Sequence, residues 1–282
     1  MGKHPLLAFL LITFGLSWGV PAVALLISTP VEGLNVTLAQ YTPLYYLVVW
    51  APALAALFVI GMTRGTTGLR SYTLRLLNWR VGLGWYALVL FGIPGLYLLA
   101  AFLTWAMGEP AFALYRGPFS RFVLAVLLRG SAGPVEEFGW RGFALPVLQR
   151  SFSGLVAAAI LGLIWGVWHL PAFLVTSFYR SELGLSLPLS FGSFLLQAVA
   201  VSIIMTFVYN GTGGNIPLAF LIHWLVNFPY PWEGEADTTT AQVFVLSLAA
   251  IALAIFTRAR FLGSNSLYTD VAPGGAINPR ES

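Results

Sequence analysis

The stretch 81-VGLGWYALVLFGIPGLYLLAAFLTWAM-107 contains no Asp, Glu, Lys or Arg. A bilayer-spanning helix needs roughly 20 mostly apolar residues, and this run exceeds that length. It decides the fold class, because the same pattern recurs along the chain at 5–28, 41–62, 152–178 and 189–209. Shorter apolar runs occupy 216–230 and 238–257. An interrupted one starts at 122–128, breaks over Arg129-Gly130-Ser131-Ala132-Gly133-Pro134 and resumes at 140–148. The expectation is an all-α polytopic transmembrane helix bundle of about eight spans, one of them broken.

Composition agrees with that reading. The 282 residues are 58% hydrophobic and 9% charged, with a mean hydropathy of +0.83. A soluble domain carries about a quarter of its residues as charges, so a water-soluble fold is excluded. The chain has no cysteine, which removes disulfides, thiolate zinc sites and cysteine nucleophiles together. A formal charge of +4 is read as a topology signal rather than a nucleic-acid footprint, so no nucleic-acid partner is expected.

The basic residues sort by side. Lys3, Arg64, Arg70, Arg75, Arg80 and Arg150 fall on one face with the C-terminal arginines, and Arg116, Arg121 and Arg180 on the other. Both termini are therefore expected in the cytoplasm, with the acidic loop Glu233, Glu235 and Asp237 outside. Ala22-Val23-Ala24 formally fits a signal cleavage site, but the apolar run continues to Ile27, so a retained first helix is expected. Segment 68–80 reads either as an interfacial helix or as a charged loop. Residues 1–262 read as one transmembrane domain, and 263–282, rich in Gly, Ser, Asn and Pro, as a disordered tail. The bilayer is the expected surround, that of the plasma membrane if the source is bacterial.

Ionisable side chains are costly inside a bilayer, so those found there are functional candidates. Among ten acidic residues only Glu136 and Glu137 fall in a membrane segment, and among three histidines only His169 and His223. Arg129, Arg141 and the amide of Asn227 complete the polar set. Gly133-Pro134 reads as a helix start with both glutamates in its first turn. Arg141 stands four residues after Glu137 and is expected to pair with it, leaving Glu136 aimed at a water, a metal or a proton. Trp165 shares a helical face with His169, and His223 shares one with Asn227, each pair four apart. A carboxylate, two imidazoles and an amide can activate water and stabilise an oxyanion. Lys3 is the single lysine, so a Ser-Lys dyad is excluded, and Ser131 is assigned a loop role. Taken alone, each group also reads as a structural polar contact between helices.

Three motifs then carry a resemblance: Glu136-Glu137-Phe138-Gly139-Trp140-Arg141 fits EExxxR, Trp165 to His169 fits an aromatic residue and a histidine four apart, and His223 to Asn227 fits HxxxN. In this order they resemble the CAAX prenyl protease and bacteriocin-processing (CPBP, or Abi) family of intramembrane proteases, over roughly 120–232. Trp165 departs from the phenylalanine more common in that family. The resemblance implies peptide-bond hydrolysis of a membrane-embedded or lipidated peptide, with water activated at Glu136 and His169. It assigns His223 and Asn227 to an oxyanion hole or a metal site, with Glu137, Arg141 and Trp165 in support. Family members are often named metalloproteases. A zinc held by Glu136, His169 and His223 and a metal-free Glu136 and His169 dyad both fit these residue types. From other classes, a transporter or channel using the buried cluster as an ion path, or a scaffold without turnover, stands as the alternative.

Overall fold

The computed structural model describes residues 4–27, 41–175, 187–232, 234 and 236–257, and helices dominate it. Five helices are long and apolar enough to cross a membrane: Pro5–Val23 within α1 (Pro5–Ile27), α4 (Leu83–Ala106), Gly154–Phe173, Pro188–Gly211 and α12 (Thr239–Thr257). A sixth joins α2 (Pro43–Val49) to α3 (Ala51–Leu76) through a 60° bend.

The expected count of eight is not confirmed: by length and composition five described helices qualify, or six with the bent pair, and two of the expected crossings fall short of that test for physical reasons. The interrupted run becomes α5 (Phe119–Ser131), a 3-10 turn Gly133–Val135, α6 (Glu136–Gly139), a π turn Trp140–Ala144 and α7 (Leu145–Leu148). No piece of it is long enough to cross alone. Helix α11 (Ile216–Val226) has 11 residues and reaches only about 16 Å, half of a hydrocarbon core of roughly 30 Å. Segment 68–80 is helical as far as Leu76, continuing α3 beyond a kink at Gly65, whose φ of 63° suits glycine. The tail 263–282 lies outside the described residues, as do Arg180, Glu233 and Glu235.

Helix α8 (Gly154–Trp168), followed by the short α9 (Leu170–Val175), packs on α10 (Leu187–Gly211), and α10 on α12. The first contact is close because Gly162 and Gly166 repeat on one face. A Cβ at Gly162 would lie 2.7 Å from the Val199 Cα, and one at Gly166 would lie 2.6 Å from the Leu195 side chain. Small residues four apart allow such approach in membranes, where packing rather than the hydrophobic effect drives association. Ser202 Oγ adds a hydrogen bond to the Ala158 carbonyl at 2.7 Å. Between them these helices fix the end of α8, from which His169 projects.

Candidate active site

Glu136 and Glu137 begin a helical column that runs over 133–148 and is entered through Pro134, whose missing N–H costs nothing in a first turn. Pro146 explains the π turn: its ring would crowd the carbonyl four residues earlier, so the Leu145 amide reaches back five residues to Trp140 O. Carbonyls displaced by the widened turn find partners on α3. Tyr72 donates its hydroxyl to Phe138 O. Arg75 makes a long contact of 3.5 Å to Gly142 O while donating to the Tyr209 hydroxyl at 2.9 Å.

The two carboxylates have separate partners, as their 100° divergence requires. Glu137 Oε2 accepts from Arg141 Nη1 at 2.7 Å and its Oε1 faces His223 Nδ1 at 2.8 Å, all three residues being buried. The Arg141 guanidinium lies 5.3 Å from the Trp165 ring, a cation–π contact in the core. Its Nε and Nη2 make no hydrogen bond among the described residues. Glu136 instead accepts two indole N–H groups on one oxygen: Trp165 Nε1 at 2.8 Å and Trp140 Nε1 at 3.4 Å meet Oε2. Its Oε1 carries no hydrogen bond among the described residues, and Glu136 lines a cavity of about 480 Å³.

His169, His223 and Asn227 line the same cavity. His169 Nδ1 lies 2.8 Å from the Trp165 carbonyl. A carbonyl only accepts, so Nδ1 holds the proton and Nε2 is left with a lone pair. Glu137 fixes His223 by the same logic, through Nδ1. Trp165 stands between the imidazoles, with ring centroids 5.6 Å from His169 and 5.3 Å from His223. Gly133 holds open the space beside them: a Cβ there would lie 2.9 Å from His223 Nε2 and 2.8 Å from Asn227 Nδ2. These two nitrogens thus converge over one glycine.

The polar groups expected to gather therefore do so, with Arg141 paired to Glu137 and the Glu136 side chain turned to the cavity. The predicted sharing of a face by His223 and Asn227 holds without mutual side-chain bonding, since His223 turns to Glu137. Ser131 does not lie in a loop as expected but is the last residue of α5, where its polar groups make structural contacts. Its hydroxyl meets Tyr46 OH at 2.7 Å and donates to Leu128 O, and its carbonyl accepts Trp50 Nε1. Reading by residue type missed the donor function of Trp165 and Trp140, because an indole offers either its face or its N–H. It also missed Gly133, Tyr72 and Arg75. Glu136, His169 and His223, the candidate zinc set, line one cavity, but among the described residues no three His, Cys, Asp or Glu side chains stand close enough together to hold an ion.

Comparison with known proteins bears out the resemblance carried by the motifs. Residues 117–229 match the family described as Type II CAAX prenyl endopeptidase Rce1-like, a span that contains every residue of this cluster. The chain is also 27% identical over 234 residues to CAAX prenyl protease 2 of Methanococcus maripaludis, covering 79% of this chain and 86% of that protein.

Proposed function

We propose that this chain is an intramembrane endopeptidase that cleaves a membrane-associated peptide of the prenylated CAAX type by a metal-free water mechanism. The observation that carries the reading is the convergence of Glu136, His169, His223 and Asn227 on one cavity, with both imidazoles tied at Nδ1. Similarity to the CAAX prenyl endopeptidases supports it and disfavours the transporter alternative.

In this reading a water sits between Glu136 and His169 Nε2. One of its protons passes to this dyad as its oxygen attacks the scissile carbonyl carbon, the bond to nitrogen breaks, and the dyad returns the proton to the departing amine. The carbonyl oxygen, negative in the tetrahedral intermediate, is met by the Asn227 amide N–H and by His223. His223 can donate from Nε2 only as an imidazolium. Glu137 is positioned to support that state, and the buried cluster then balances two carboxylates with two cations. Trp165 and Trp140 orient Glu136 through Oε2 and leave Oε1 for the water.

The test is cleavage of a quenched fluorescent, farnesylated CAAX peptide by detergent-purified protein. Glu136→Gln and His169→Ala should each lower kcat about 10²–10⁴-fold, and chelator should leave the wild-type rate unchanged. Chelator inhibition reversed by zinc would overturn the metal-free mechanism while sparing the peptidase. Absence of cleavage together with ion flux in proteoliposomes would replace the peptidase with a transporter.

A further inference from the structure

Arg129 is the one cationic Lys or Arg side chain among the described residues that line the cavity, and Glu136 is the one carboxylate. Arg129 plays no part in the hydrolytic step derived above, yet its position is tightly determined. Trp224 on α11 donates Nε1 to Val126 O at 3.0 Å. The same indole fills the space a Cβ at Gly130 would need, at 2.7 Å. Helix α5 is thus clamped to α11 on both sides of Arg129 in sequence. The guanidinium is then held by a hydrogen bond from Nη1 to Asn227 O at 2.9 Å. Asn227 is the residue whose side-chain amide belongs to the hydrolytic set.

A cation so placed is exposed to whatever enters the cavity. Its planar fork has five N–H donors, one of them committed among the described residues, so a further edge can take a carboxylate in two parallel hydrogen bonds. Capping the last carbonyl of α11 accounts for the contact to Asn227 but not for a guanidinium opening onto the cavity. Extended peptide covers about 3.3–3.6 Å per residue, so a chain end only a few residues beyond the scissile bond is within reach of a group adjoining Asn227.

Resting on the endopeptidase reading, we propose that Arg129 determines specificity by binding the free C-terminal carboxylate of the substrate, so that the site selects peptide ends over internal segments. The experiment compares kcat/KM for two farnesylated peptides, identical except for a C-terminal carboxylate or a C-terminal amide, in wild type, Arg129→Gln and Arg129→Lys. Wild type should prefer the acid about 10- to 100-fold, the range expected of a charge-assisted contact. Arg129→Gln should bring that ratio close to one by lowering the rate on the acid alone, and Arg129→Lys should give an intermediate ratio, since an ammonium lacks the fork. A purely structural cap would lower both rates together and keep the ratio, which would overturn the proposal. If Arg129→Gln does not fold, an undiminished ratio in Arg129→Lys overturns it equally. Cleavage of both peptides at equal rates by wild type removes this inference and leaves the endopeptidase standing, whereas cleavage of neither removes both.

Discussion

At Glu136 two indole N–H groups meet one carboxylate oxygen, and this arrangement makes Trp165 more than a wall. Phenylalanine at that position would keep the ring contacts to both imidazoles and lose the stronger of the two donors. Trp165→Phe should therefore lower kcat about tenfold, the effect of one hydrogen bond to a charged group (~1.5 kcal/mol), with KM and the unfolding midpoint in detergent little changed. An unaltered kcat would show that Trp140 alone orients the carboxylate. Glu137 belongs to a different class of residue, because its loss strands a buried guanidinium that already has two nitrogens without hydrogen-bond partners among the described residues. Glu137→Ala should cost about 3–5 kcal/mol and depress the thermal unfolding midpoint, whereas Glu136→Ala should abolish cleavage while leaving that midpoint near wild type. The division between the glutamates was legible in the sequence, since Arg141 lies one turn from the second and not the first. The indole donors were not, because residue type alone does not say whether an aromatic ring offers its face or its N–H.

Among the elements, what hydropathy resolved was length and polarity, and it resolved them well for α1, α4, α8, α10 and α12. It found the interruption in the passage over 119–148 but could not resolve its pieces, where Pro134, Pro146 and four glycines divide one traverse into five short ones. Local rules place breaks there; which carbonyls they free, and that Tyr72 and Arg75 satisfy them, depends on α3, more than sixty residues earlier. The α8 and α10 contact is the opposite case, with Gly162 and Gly166 in plain view at helical spacing. Their purpose follows from geometry: His169 lies beyond the last turn of α8, so the distance between these helices sets where its imidazole stands. A methyl at Gly162 meets backbone at 2.7 Å, which no side-chain rotation can relieve. Gly162→Ala should cost about 1–3 kcal/mol and lower kcat as well, read by detergent unfolding and by peptide cleavage. Gly192, on the same α10 but with open space around its Cβ position, should tolerate alanine in both assays.

The molecule as a whole has two ends, and its polar contacts define them. At one, Asn215 Nδ2 donates to Asn78 O at 2.6 Å and Gln149 Nε2 to Asn210 Oδ1 at 3.0 Å, bringing together the connections after α3, α7 and α10. At the other, the stretches 111–115 and 231–234 exchange backbone hydrogen bonds, among them Tyr115 N to Pro231 O at 2.8 Å. Helix α4 joins the two ends and, at 24 residues, reaches about 36 Å, enough to cross the hydrocarbon. Arg80 and Arg150 sit at the first end, Arg116 and Asp237 at the second, so the positive-inside bias predicts that the first end is cytoplasmic. The cysteine-free sequence makes this measurable with single substitutions at exposed loop positions. Glu109→Cys, at the second end, should react with a membrane-impermeant maleimide on intact cells, and Ser151→Cys, at the first, only after permeabilisation. The reverse pattern would invert the orientation and leave the bundle intact. Equal labelling of both positions on intact cells would contradict the fold itself, because the interrupted passage over 119–148 separates those two sites and has to carry the chain from one end to the other.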